Sequence, residues 1–110
     1  MKKIFLITLA LVSVMAIVFS VHAANPISRD GYFNGVRLAG KIRIVDYNGD
    51  FRIRITNSFP DLDVKLVDMF PDKVGEWQIV DYGEDFTVEI VDYNEDFSVR
   101  FVSSFPGVSN

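Results

Sequence analysis

Lys41-Ile42-Arg43-Ile44-Val45-Asp46-Tyr47-Asn48-Gly49-Asp50 is followed at once by Phe51-Arg52-Ile53-Arg54-Ile55-Thr56-Asn57-Ser58-Phe59-Pro60-Asp61. The second stretch is a variation on the first. Leu62 to Asp72 writes the phrase a third time, and Trp77, Phe86 and Phe97 open three more copies. The pair that ends each apolar run falls at Val45-Asp46, Thr56-Asn57, Val67-Asp68, Val80-Asp81, Val91-Asp92 and Val102-Ser103, with spacings of 11, 11, 13, 11 and 11. Self-similarity at a fixed period means one small unit packed against copies of itself.

Each copy alternates apolar and polar residues, the pattern of a half-buried strand. Phe51, Ile53 and Ile55 oppose Arg52, Arg54 and Thr56; Phe86, Val88 and Ile90 oppose Thr87 and Glu89; Phe97, Val99 and Phe101 oppose Ser98 and Arg100. The apolar set is β-branched or aromatic, which suits strands, and the three-and-four spacing of a helical stripe is missing. Six strands are predicted near 41–46, 51–57, 62–68, 76–81, 86–92 and 97–103. A weaker extended segment near Tyr32–Leu38 makes about seven short strands in all. Asn, Gly, Pro and Asp fill the intervals, as turns require. The interruption Phe70-Pro71-Asp72-Lys73-Val74-Gly75 reads as a loop where the winding changes edge. The fold class is all-β, one compact domain. Period alone leaves an antiparallel meander barrel and a two-sided β-solenoid both open.

The first residues change the other counts. Met1-Lys2-Lys3 is basic, Ile4 to Val21 is nearly all apolar, and Val21-His22-Ala23 offers small residues for a peptidase. Residues 1–23 therefore read as a signal peptide cleaved after Ala23, and residues 24–110 as the exported domain, secreted or periplasmic. Of 11 basic residues, removal of Lys2 and Lys3 leaves 9 against 15 acidic ones, a net charge of about −6. That balance argues against nucleic acid and, once the leader is gone, against anionic membrane surfaces. The chain has no cysteine and its one histidine is His22, in the leader. Ser-His-Asp and Cys-His catalysis and the usual zinc sites are closed to the mature domain. Small exported domains usually rely on disulfides; this one must be held by its repeat.

The recurring Val-Asp-Tyr and Ser-Phe-Pro phrases, with Gly75-Glu76-Trp77-Gln78 between them, resemble a family of small exported bacterial proteins, the septoil knot domain, over roughly residues 32–107. The resemblance implies a compact all-β domain whose strands wind about one axis in a deeply knotted chain. It implies a fold and no site. Thr56-Asn57 departs from the Val-Asp marker, and the first strand is weak.

Candidate chemistry is sparse. Asp46, Asn48 and Asp50, echoed by Asp92, Asn94 and Asp96, have the opening spacing of a calcium loop. Such a loop also needs Gly at its sixth position and Glu at its twelfth, where this chain has Phe51 and Asn57, or Phe97 and Ser103. Turn capping by the same side chains is the simpler expectation, and no cofactor is expected. Trp77 opens its copy as Phe51, Phe86 and Phe97 open theirs, which points to core rather than to a sugar or peptide platform. Arg43, Arg54, Lys65, Gln78, Glu89 and Arg100 read as a solvated row, with Asp63 pairing nearby. The expectation is a monomeric, non-enzymatic exported domain that works by interaction or by robustness. The alternatives are a calcium- or small-ligand-binding module using those turns, and an inhibitor or immunity-type protein occupying a partner's cleft.

Overall fold

The structure, a computed structural model, describes residues 24–109; the expected leader, residues 1–23, lies outside them. Nine strands and no helix are present among the described residues: β1 (Tyr32–Phe33), β2 (Val36–Arg37), β3 (Gly40–Val45), β4 (Phe51–Ile55), β5 (Leu62–Leu66), β6 (Glu76–Ile79), β7 (Phe86–Ile90), β8 (Phe97–Phe101) and β9 (Gly107–Val108). The six repeat strands form the order β6-β3-β7-β4-β8-β5, and a further β5–β6 pairing closes them into a barrel. Every pairing within that barrel is parallel. The antiparallel meander is thereby excluded, and so is the two-sided solenoid, since β7 and β8 do not stack beyond β5 but slot between earlier strands.

The order records two laps of one axis. In the first lap β3, β4 and β5 occupy alternate positions, and in the second β6, β7 and β8 fill the gaps. Each 11-residue step advances two positions; only the step from β5 to β6 advances one. That single step is where the sequence period slips to 13, so the long interruption is the change of lap.

Because the laps interleave, each connection that advances two positions must cross a strand of the other lap, and it does so on the outside. The Asp50 carboxylate accepts from the Thr87 N–H at 2.9 Å, and the Asp50 N–H donates to the Thr87 hydroxyl at 2.8 Å. Asp61 makes the same exchange with Ser98, at 2.8 and 3.0 Å. Asp85 clamps the Lys41 backbone and Asp96 the Arg52 backbone, each accepting at 2.8 Å and donating at 2.7 Å. Thr87 and Ser98 point away from the core yet are buried, because a connection lies over them. The first crossing is close enough to demand Gly49: a Cβ there would stand 2.8 Å from the Glu89 nitrogen. First-lap connections thus cover second-lap strands, and second-lap connections cover first-lap strands. The chain is woven.

Extended around the barrel, the register runs from Ile42 through Phe86, Gly49, Tyr93, Thr56 and Val67 back to Asp30, 12 residues before its start. So large a stagger tilts the strands steeply. The core lies toward the strand-entry end: Phe51, Leu62, Phe86 and Phe97, with Ile42, Ile53, Val64, Trp77, Val88 and Val99 above them. The lead-in stoppers this end with Ile27, Phe33 and Leu38. Phe33 stands edge-on to Phe51 at 5.5 Å and tilted against Phe97 at 5.3 Å, and the Trp77 indole N–H donates to the Leu38 carbonyl at 3.1 Å. The lead-in is not one extended segment: β1 and β2 form a tiny antiparallel hairpin. Its turn places Asn34 and Gly35 at φ 49° and 78°, the two positive values that an Asn-Gly turn supplies at low cost. Five of the other strands end two residues earlier than their alternation predicts, because the pair that closes each apolar run opens the turn.

Candidate functional site

The last inward apolar residue of each barrel strand lies on the face its alternation predicts, but it is not buried. Ile44, Ile55, Leu66, Ile79, Ile90 and Phe101 are 42–51% exposed. Each pairs in register with a residue that is at most 1% exposed: Val88, Val99, Trp77, Ile42, Ile53 and Val64 respectively. Directly opposed residues of parallel strands share a face. The half-exposed six are therefore a top layer continuous with the core, left uncovered at the strand-exit end.

Six aligned five-residue turns follow these strand ends: 46–50, 57–61, 68–72, 81–85, 92–96 and 103–107. In each, the third residue has positive φ: Asn48, Phe59, Phe70, Gly83, Asn94 and Phe105. Two versions exist. One puts Tyr at the second position and Asn or Gly at the third; the other puts Phe at the third, held before Pro. The resulting aromatics, Tyr47, Tyr82, Tyr93, Phe59, Phe70 and Phe105, are all strongly exposed, Phe59 almost fully at 97%. Left-handed backbone costs a bulky residue something of order 1 kcal/mol, so three Phe residues sit where Asn or Gly would be easier. Ile44 and Tyr47 share one shallow concavity, and Leu66 and Phe101 another. A larger groove of about 810 Å³ runs beside Phe59, between Asn57, Arg100 and Asn25.

The first turn position carries Asp46, Asn57, Asp68, Asp81, Asp92 and Ser103, all exposed. Among the described residues no ion pair is made by any of those four carboxylates. Four arginines of the barrel flank are paired there: Arg43 with Glu84 at 3.1 Å, Arg54 with Glu95 at 2.8 Å, Arg100 with Asp63 at 2.9 Å, and Arg52 near Glu89 at 4.0 Å. The bond from Arg43 holds the Glu84 carboxyl below its usual range, and Arg54 does the same for Glu95. Asp63 raises the Arg100 guanidinium in turn.

The calcium-spaced residues are dispersed by this arrangement. Asp50 and Asp96 are the crossing clamps. Asn48 and Asn94 supply the left-handed turn residue, and Asp46 and Asp92 stand at the exposed turn entry. Among the described residues no three His, Cys, Asp or Glu side chains gather as a metal-binding group. Trp77 is 1% exposed at the core's centre. What sequence reasoning missed is the open end itself. The signal was present in the repeated exit aromatics, but which end of the barrel is closed depends on where the lead-in docks.

No protein in the curated set matches this chain. The family model described as the 7(1) septoil knot domain matches residues 35–109, which takes in all six barrel strands and β9. A two-lap barrel whose connections pass alternately over each other's strands is the weave that such a description requires, and the chain belongs to the septoil knot domain family.

Proposed function

We propose that this chain is an exported, non-enzymatic domain that keeps its fold without covalent cross-links and engages a protein partner through the strand-exit end. One observation carries the reading. An inward-facing apolar layer, one residue from each of six strands, continues the core yet is uncovered, and six exposed aromatics surround it. Uncovered apolar surface of that extent on a small soluble domain marks an interaction site. The mature chain lacks His and Cys, and with them the cysteine nucleophile and the imidazole general base. The weave supports the second half of the reading, since an interlocked chain opens only by unthreading.

The test is a pull-down from the exported fraction with the purified protein and two variants. Ile90→Ser/Phe105→Ser alters the open end, and Tyr32→Ser/Val36→Ser alters the exposed hairpin at the other. A partner retained by the wild type and the hairpin variant but lost by the open-end variant supports the proposal. A partner retained equally by all three, or none recovered, overturns it. Robustness has its own readout: unfolding in strong denaturant is slow, and rapid unfolding removes that half.

A further inference from the structure

The two turn versions follow one another along the chain as Tyr, Phe, Phe, Tyr, Tyr, Phe, with no evident grouping. The barrel order regroups them. Read around the rim as β6, β3, β7, β4, β8, β5, the exits carry Tyr82, Tyr47 and Tyr93 side by side, then Phe59, Phe105 and Phe70 side by side. The first turn positions divide in the same way. Asp81, Asp46 and Asp92 stand with the tyrosines; Asn57, Ser103 and Asp68 stand with the phenylalanines. Interleaving of the two laps turns a scrambled sequence order into two contiguous halves, one acidic and tyrosine-lined, the other apolar and nearly neutral.

Resting on the docking reading above, we infer that the open end receives a cationic amphipathic peptide segment of a partner protein. Its basic side chains lie over the Tyr–Asp half and its apolar side chains over the exposed rungs and the Phe–Pro half. Three observations select this occupant. The rim carboxylates have no ion pair among the described residues, while four arginines of the barrel are occupied on the flank. Tyrosine faces attract ammonium and guanidinium groups, adding to the charge attraction. The apolar layer and the acids share one end, the pattern met by a helix with one basic and one apolar face. A second copy docked end to end would set the acids against acids or against the apolar half, and none of the six turns carries a basic residue to pair them. An anionic lipid surface would meet the same repulsion.

The experiment titrates the purified protein into three labelled helical peptides that differ only on the polar face: Lys with Leu, Gln with Leu, and Glu with Leu. The expected result is that the Lys peptide binds at least ten-fold more tightly than the Glu peptide and weakens as salt rises. Asp46→Asn/Asp92→Asn then weakens the Lys peptide several-fold, whereas Asp30→Asn/Glu76→Gln, in the lead-in and at the entry of β6, changes it less than two-fold. Phe59→Ser/Phe105→Ser weakens all binding. Thermal melts of each variant confirm folding. If the Gln or Glu peptide binds as tightly as the Lys peptide, the charge inference falls while the docking reading stands. If both Asp double variants weaken binding equally, the attraction is that of the acidic chain as a whole and the inference falls. If no peptide binds, it falls too, and the pull-down decides the docking reading separately.

Discussion

The two ends of this barrel are built from the same strands and the same residue types, yet among the described residues only one is closed. At the strand-entry end Phe51, Leu62, Phe86 and Phe97 are covered by Ile27, Phe33 and Leu38. At the strand-exit end the equivalent rungs are about half exposed. Alternation sets the face toward which a side chain points; burial also needs something to lie on it. The lead-in, which stands outside the repeat, supplies that cover once and at one end only. Stability therefore concentrates near the stopper, and the rungs at the opposite end stay half exposed.

The sharpest way to break the contrast is to remove the side chain at its closed centre. Trp77→Ala leaves a large hole beneath Leu38 and against Phe86, whose ring stands 5.8 Å away. Such truncations cost about 3–5 kcal/mol, and chemical denaturation should read a loss of that size. A cost below about 1 kcal/mol would mean that the stopper does not organise the core. The next test stays on one strand and one face. Ile53 is 1% exposed and Ile55 is 45% exposed, two residues further along β4. Ile53→Ala should cost about 2–5 kcal/mol, and Ile55→Ala less than about 1.5, because much of its surface stays wet when folded. Equal costs would show the exit layer to be covered in solution.

Much of this was readable before any coordinates. Alternation located all six barrel strands, and the slip from 11 to 13 marked the place where the lap changes. The absence of a second histidine or any cysteine narrowed the chemistry. Strand direction was not readable, because a five-residue return between parallel strands looks like a hairpin turn until the partner is known. Asp50 and Asp61 look like turn residues from sequence, and they are. Their second task, clasping Thr87 and Ser98, belongs to a crossing between segments 37 residues apart. The Tyr and Phe halves of the rim were invisible for the same reason: neighbours on the rim come from different laps.

The clamps offer a smaller perturbation that probes the weave instead of the core. Asp50→Ala leaves the Thr87 hydroxyl and N–H without their carboxylate under a covered surface, and Asp96→Ala does so for the Arg52 N–H. Loss of a charged acceptor from a buried donor costs about 1–3 kcal/mol, and the Asp96 bond, which is exposed, should cost less. Asp50→Ala should lie toward the upper part of that range because Thr87 is buried, whereas Asp92→Ala, at an exposed turn entry, should be near neutral. Hydrogen exchange at Thr87 and Arg52 gives the local readout. Unchanged protection in both variants would mean that the crossings are held by other contacts.

Acid should produce a modest change, confined to the flank. Glu84 and Glu95 are held below their usual range by Arg43 and Arg54, so each binds its proton less readily folded than unfolded. That stabilisation is complete above the unfolded value, near about 4.3 for glutamate. It is lost as the pH falls through the lower folded value. Both pairs are solvent-accessible, which keeps the effect small. The melting temperature should therefore fall slightly more on acidification in the wild type than in Arg43→Gln/Arg54→Gln. Identical acid profiles would show that these pairs contribute nothing measurable.

The smallest expected effect is none at all, and it bears on the turns. A calcium loop converges oxygens from its first, third and fifth positions on one ion. In turn 46–50 the fifth carboxylate is turned onto β7, where it accepts both the Thr87 N–H and its hydroxyl hydrogen. In turn 92–96 the fifth carboxylate is turned onto β4 in the same way. Moving either oxygen to an ion would break a crossing clamp, so binding would have to offset a cost that folding has already avoided. Melting with calcium and with a chelator should agree within error. A rise with calcium that is abolished by Asp46→Asn, a residue no clamp uses, would return these turns to the list of ion sites and would show that the weave tolerates a loosened crossing.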